Sequence, residues 1–285
     1  MREFELLQPK SLDDALDALA VGDTAVRPLA GGTDMIVDIR ARRAQPDVLV
    51  SLQNIAELRG VTRENGSLRI GAATTISDFL KNPLLLEHAD IARQAAYVFA
   101  NPMIRNLATI AGNIGSASPA GDMLPPLLAL DAKIKLVSKK ETRTLPLSDF
   151  FLGPRKTARR SDELISNLQF PISSSPCGTA FYKLGLRQAD AISLISVAVW
   201  LERDGANIRD VRIALGAVAP IPLRATRAEE LLRGQPFTES IVQQAAQLAS
   251  EECSPINDLR ATANYRRRMV AVYVCRMLEQ AWKNS

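Results

Sequence analysis

Two short glycine-bearing segments constrain this chain more than any other feature. One is Pro28-Leu29-Ala30-Gly31-Gly32-Thr33-Asp34, entered through Arg27; the other is Arg105-Asn106-Leu107-Ala108-Thr109-Ile110-Ala111-Gly112-Asn113. Each follows a short apolar run and closes on small hydroxyl, amide or acid residues. Glycine has no Cβ, so it lets the backbone turn through positive φ and approach a ligand closely. Successive N–H groups facing one concavity make an anion nest, and phosphate is the usual occupant. Two such segments can hold both phosphates of a dinucleotide from opposite sides. Neither contains G-x-G-x-x-G or a Gly-Lys-Ser/Thr ending, the better-known phosphate patterns. Each alone also reads as an ordinary turn; it is their matched chemistry that points to a ligand.

The chain has 285 residues, 47% hydrophobic and 23% charged, which suits a soluble globular protein of two domains, or of one large domain with subdomains. Cys177, Cys253 and Cys275 are far apart, with no C-x-x-C or Cys/His cluster. They predict buried free thiols in a reducing compartment and neither a zinc site nor a protein-borne iron–sulfur cluster. Met1-Arg2-Glu3-Phe4-Glu5 lacks the basic and apolar stretches of a signal peptide, and no apolar window reaches the length of a membrane span. A cytoplasmic location is therefore expected. The net charge of +4 is mild, and aromatic residues make up only 5%. Basic runs occur at Arg40-Ala41-Arg42-Arg43, at Arg155-Lys156 with Arg159-Arg160, and at Arg266-Arg267-Arg268. Without interleaved aromatics or a recognised motif they do not predict nucleic-acid binding. They read as solvated faces or contacts to a partner subunit.

Periodicity predicts an α+β chain. Ser11 is a candidate N-cap for a helix over 11–20, with Leu12, Ala15, Leu16 and Leu19 at helical spacing. Strands are expected over 25–29 and 47–52, then over 67–72 after the turn at Asn65-Gly66. Helices over 75–81 and 86–100 stop at Asn101-Pro102, and 125–130 reads as buried. Further strands are expected over 133–137 and 163–170, and Ser173-Ser174-Ser175-Pro176 reads as a linker. Beyond it lie strand-like stretches at 179–186, 192–202 and 211–218 and helical patterns at 225–233, 240–251 and 263–282. The expected boundary is near residue 175.

The catalytic inventory is thin. His88 is the one histidine and reads as a surface helix residue. There is no Gly-x-Ser-x-Gly and no His-Glu-x-x-His. Any chemistry must come from a cofactor, with protein supplying position and electrostatics. Asp122, after a Pro-Ala-Gly turn, can accept from ribose or ribityl hydroxyls or can simply order the turn. Phe99 can be a platform for a ligand ring or plain core. Lys183, in an alternating stretch, would otherwise be an exposed edge charge.

These residues resemble a known family, the FAD-binding medium subunits of the molybdenum hydroxylases, which include xanthine dehydrogenase, nicotinate dehydrogenase and carbon monoxide dehydrogenase. The resemblance rests on Ala30-Gly31-Gly32-Thr33-Asp34 and Thr109-Ile110-Ala111-Gly112-Asn113, on Ile104-Arg105-Asn106 before the second segment, and on Ala117-Ser118-Pro119-Ala120-Gly121-Asp122 after it. Ala56-Glu57-Leu58-Arg59 and Leu68-Arg69-Ile70-Gly71-Ala72-Ala73-Thr74-Thr75 match as well. It implies a two-subdomain FAD-binding fold of the vanillyl-alcohol-oxidase type over 1–175, divided into 1–55 and 56–175. A C-terminal α+β domain of three strands and helices over 176–285 would follow. Pyrophosphate and ribityl contacts would fall on residues 27–34 and 109–113 with Ser116, and Asp122 would meet a hydroxyl-bearing part of FAD. Phe99, Ile165 and Lys183 would be adenine or ring neighbours. One departure is Ala111, where many members have glycine; the segment must then keep that residue at ordinary φ.

By the same resemblance, a large partner subunit with molybdopterin would hydroxylate a purine or N-heterocycle, and a small partner with 2Fe-2S clusters would relay electrons. FAD on this chain would pass them to NAD or another acceptor. The chain lacks the cysteine insert of the subtype whose flavin subunit carries its own cluster. Two other readings stay open from the residues: a self-contained FAD-dependent reductase, and a non-catalytic dinucleotide-binding assembly module.

Overall fold

The computed structural model describes residues 3–285, so Met1 and Arg2 of the N-terminal stretch lie outside it. Strand and helix alternate at first: β1 (Glu5–Leu7), α1 (Leu12–Leu19), β2 (Val26–Leu29), α2 (Met35–Arg40) and β3 (Val48–Ser51). The three strands pair in parallel in the order β1-β3-β2, which requires crossovers, and α1 and α2 supply them. Ser11 caps α1 as its position suggests, its Oγ accepting from the Asp14 N–H at 3.1 Å.

An antiparallel sheet follows. β4 (Val61–Glu64) and β5 (Ser67–Gly71) form a hairpin through Asn65 and Gly66, whose φ values of 49° and 75° suit a two-residue turn. Then come α3 (Ile76–Lys81), α4 (Pro83–His88), α5 (Asp90–Tyr97), α6 (Pro102–Leu107), α7 (Ile110–Gly115) and α8 (Leu124–Ala129). The single helix expected over 86–100 is two helices. Asn82 caps α4 through Oδ1, and Ala89, at φ −137° and ψ 40°, breaks the run before α5. The expected burial at 125–130 is a helix, α8, whose six residues are all buried. β6 (Lys133–Val137), β7 (Thr142–Pro146), β8 (Phe151–Gly153), β9 (Lys156–Thr157) and β10 (Leu164–Pro171) complete this part. The five-stranded order is β4-β5-β10-β6-β7, with β8 and β9 paired separately.

The remaining residues form the antiparallel meander β11 (Cys177–Leu184), β12 (Ile195–Asp204), β13 (Asn207–Gly216) and β14 (Leu223–Arg224), covered by α9 (Thr226–Leu232), α10 (Glu239–Glu251) and α11 (Ala263–Asn284). The three long strands match the expectation; two-residue β14 is a fourth strand too short to leave a period in the sequence. Helix α11 lies tightly on β11, because a Cβ at Gly178 would come within 1.8 Å of the Ala281 carbonyl oxygen. One apolar core runs continuously through the first two sheets and takes in Phe181 and Trp200 of the third. A second fills the space between β11–β13 and α9–α11.

Most residues of the basic runs are exposed, in keeping with solvated faces, but several also pair within the chain, and Arg266 is the exception that turns inward. Arg155 pairs with Asp38 across the first two sheets at 2.6 Å, and burial of Asp38 is outweighed by Arg43 and Arg155, which hold its carboxyl below the usual range. Arg266 is buried, reaching the carbonyls of Leu194 and Ala217 and the carboxylate of Asp258, which is held down to about 2 despite the upward push of partial burial. Glu229 is a buried, heavily bonded carboxylate. It takes Arg224 through both oxygens at 2.6 and 2.8 Å, Arg233 at 3.2 Å and the Ile213 N–H at 2.8 Å. Arg224 also reaches Asp131 and the Leu128 carbonyl, so this cluster ties the third sheet to α8.

Glu229→Ala should therefore destabilise the protein by about 3 kcal/mol, the lower end for breaking a buried pair, because Arg224 keeps some solvent. Urea denaturation measures this; an unchanged midpoint would contradict it.

Candidate functional site

The first glycine segment leaves the C-terminal end of β2 and turns back into α2. Gly31 makes the turn fit. A Cβ there would lie 1.8 Å from the carbonyl oxygen of Leu107, the last residue of α6. Gly32 makes it bend, at φ 73°, where side-chain-bearing residues are strained. Among the described residues, the N–H groups of Gly31, Gly32, Thr33 and Asp34 donate to no protein acceptor. Four successive free donors in one tight turn have the arrangement of an anion nest.

The second segment is not a loop. Thr109 is the N-cap of α7, its Oγ1 accepting from the Gly112 N–H at 3.0 Å, and residues 110–113 are the first turn of that helix. Ile110 and Ala111 donate to the carbonyls of Thr74 and Ala72, which moors the turn to the end of β5. Ala111 is helical, so alanine sits there without strain. Gly112 is needed for space and not for positive φ: an added Cβ would stand 2.9 Å from Thr109 Oγ1 and 3.7 Å from Ala30 Cβ. The two segments meet again where the Ser116 hydroxyl contacts the Asp34 carboxylate, while also lying 2.9 Å from the Gly112 carbonyl. Asn113 Oδ1 accepts from the Met123 N–H at 3.3 Å.

The other candidates fall into two places. Arg27 is exposed on β2 and donates to the Thr24 carbonyl at 3.2 Å, and Pro28 and Leu29 complete that strand. Ile165, buried on β10, stands behind α7, 3.6 Å from where a Cβ of Gly115 would be. Asp122, Lys183 and the chain around Phe99 gather elsewhere. Lys183 Nζ reaches Asp122 at 2.6 Å and the Val98 carbonyl at 3.4 Å, and Ser193 Oγ donates to Asp122 at 2.9 Å. Burial pushes the Asp122 carboxyl above the usual range, against the opposing pull of Lys183. Lys183 is thus not an edge charge; its side chain is only 8% exposed. Phe99 is buried, and Arg105 holds its carbonyl at 2.9 Å and that of Tyr97 at 3.0 Å. Ser193 and this role of Arg105 left no signal in the sequence, since both depend on contacts between distant elements.

His88 pairs with Glu87 in α4, outside both segments. Burial pushes the Cys253 thiol up to about 12, and the other two cysteines are also raised by burial. Among the described residues no cluster of three metal-ligating side chains occurs, and no helix is long and apolar enough to cross a membrane. A cleft of about 500 Å³ opens beside the meeting of the segments, at the C-terminal ends of β2 and β3.

The geometry is that of a mixed α/β dinucleotide-binding unit joined to a second α/β domain. Comparison with known proteins makes this specific. Residues 2–173 match the family described as the FAD binding domain in molybdopterin dehydrogenase, and residues 180–281 match the CO dehydrogenase flavoprotein C-terminal domain. The carbon monoxide dehydrogenase medium chain of Hydrogenophaga pseudoflava is 33% identical over 98% of this chain and 97% of its own. The putative xanthine dehydrogenase FAD-binding subunit of Escherichia coli is 32% identical over 95% of this chain and 93% of its own. The solved carbon monoxide dehydrogenase from H. pseudoflava superposes with a TM-score of 0.96 at 34% identity, covering 99% of this chain and 98% of that one. The chain belongs to the FAD-binding medium subunits of the xanthine dehydrogenase and carbon monoxide dehydrogenase family of molybdenum hydroxylases. It is an oxidoreductase subunit, and the nest with its glycine seam fits the dinucleotide that the family binds.

Gly31→Ala and Gly112→Val should each abolish flavin retention, the first by forcing the segments apart and the second by filling the space beside the Thr109 cap. Visible flavin absorbance per mole of purified protein reads the effect. Unchanged occupancy in both variants would show that the seam does not carry the cofactor.

Proposed function

We propose that this chain is the electron-exit module of a molybdenum-containing hydroxylase, holding one FAD non-covalently across the seam between its first two sheets. The observation that carries this is the run of four free N–H donors at Gly31–Asp34, pressed against the start of α7 in a chain of this family. Residues 27–34 and 109–113, with Ser116, would hold the pyrophosphate and ribityl parts. Asp122 would face a hydroxyl-bearing part, and Phe99, Ile165 and Lys183 would flank the rings. The cofactor-bearing part corresponds to residues 1–175, with subdomains 1–55 and 56–175, and the C-terminal domain to 176–285.

Bound flavin supplies the exchange between single-electron arrival and two-electron departure, which no side chain here performs. What the chain contributes is position and electrostatics. The nest donates to phosphate charge, Lys183 brings a buried positive charge locked by Asp122, and Phe99 excludes water where rings would sit. A small partner with 2Fe-2S clusters would deliver electrons, and a large molybdopterin subunit would hydroxylate a purine or N-heterocycle in the cytoplasm. NAD or another acceptor would take the electrons away.

Alone, the chain should not reduce dye at the expense of any purine, N-heterocycle or aldehyde, and should acquire that activity only when both partners are co-expressed. Substrate-dependent dye reduction by the single chain, with neither molybdenum nor iron by elemental analysis, would overturn this reading in favour of a self-contained flavoenzyme.

A further inference from the structure

The cleft beside the seam is built differently from the nest. It shares Ala30, Gly31 and Thr109 with the two segments, yet its lining includes none of Gly32, Thr33, Asp34, Gly112, Asn113 and Ser116. Its floor is formed by the C-terminal ends of two parallel strands, where open α/β sheets habitually bind ligands. At about 500 Å³ it is in the size range of small-molecule sites.

Its polar groups are mostly donors without acceptors. Lys81, at the end of α3, makes no ion pair or hydrogen bond among the described residues. Arg59 spends one nitrogen on the Gln53 carbonyl at 2.9 Å and has no carboxylate partner among the described residues. Asn106 accepts from Ser77 Oγ at 2.5 Å through its carbonyl, which leaves its NH₂ group free to donate into the cleft. The side-chain amides of Gln53 and Asn54 are likewise unengaged. Asp78 is the only acidic residue in the lining, and its carboxylate is turned to the Thr75 N–H at 3.4 Å in the capping box of α3. Two cations and free amides around one carboxylate give the cleft a net positive charge. The walls are fixed: Thr75 bridges Thr109, and Gly31 is pressed on Leu107.

We propose that this cleft is a second binding site, separate from the flavin cradle, for a small molecule carrying phosphate or carboxylate groups, with Arg59 and Lys81 as its charge contacts. Guanidinium forks suit planar or tetrahedral oxyanions, and a lysine adds a mobile point charge. The proposal rests on the flavin reading only in taking the nest as already occupied. Because Gly31 belongs to both sites, an occupant would press directly on the seam.

The test uses the flavin-loaded complex, in which the nest is filled. Titration calorimetry with inorganic pyrophosphate in one arm and succinate in the other should give saturable binding in at least one, which also distinguishes phosphate from carboxylate. In the complex carrying Arg59→Ala and Lys81→Ala together, that affinity should fall by at least about tenfold, the loss expected when a charge-assisted hydrogen bond is removed, with flavin content unchanged. No saturable binding of either anion, or equal binding by the double variant, would overturn the proposal. Loss of flavin from the double variant would also overturn it, by making the cleft part of the cradle, while leaving the flavin reading intact.

Discussion

The contact between Gly31 and the Leu107 carbonyl is the constraint on which the rest of the molecule depends. It brings a parallel three-stranded unit against an antiparallel five-stranded one at a separation no side chain would permit. Everything polar at the site follows from that closeness. The turn at Gly32 leaves four N–H groups unpaired, Ser116 reaches Asp34, and Gly112 has only the space of Ala30 beside it. These four donors lie on a partly exposed turn, where they remain open to an acceptor from outside the chain.

The seam is held shut from several directions. Lys139 reaches Asp13 and Asp17 at 2.8 Å each, Ser161 donates to the Gly22 carbonyl at 2.6 Å, and Arg155 takes Asp38. Exposed pairs of this kind contribute little singly; the continuous apolar core beneath them contributes most. The C-terminal sheet is coupled to the same core through α8, and its strand β11 carries Lys183 back to Asp122. A buried carboxylate raised by desolvation and a lysine at 2.6 Å form a pair whose partners cannot be separated cheaply. The third sheet is therefore tied to the segment that follows α7 through this pair.

Much of this was legible before the structure. The alternation in 133–137 and 163–170, the Ser11 cap and the Asn65-Gly66 turn are local signals, and local signals survive in a sequence. The glycine segments were recognisable as a pair, although the helical start at Thr109 was hidden because Thr-Ile-Ala-Gly-Asn reads equally as a loop. The break at Ala89 was missed since the apolar spacing continues across it. The burial of Arg266 and the bond from Ser193 to Asp122 were not legible at all. Both join residues far apart in the chain, and composition cannot say which arginine of a run turns inward.

The central claim is that the seam between the first two sheets holds one dinucleotide by shape and hydrogen bonds alone. Neither glycine segment contains a histidine or cysteine that could form a covalent flavin link. Acid precipitation of the purified complex tests this most directly. The account predicts that all the flavin appears in the supernatant, as FAD, at one per copy of this chain. Flavin retained on the pellet, a mononucleotide in its place, or no flavin in an otherwise intact complex would contradict it.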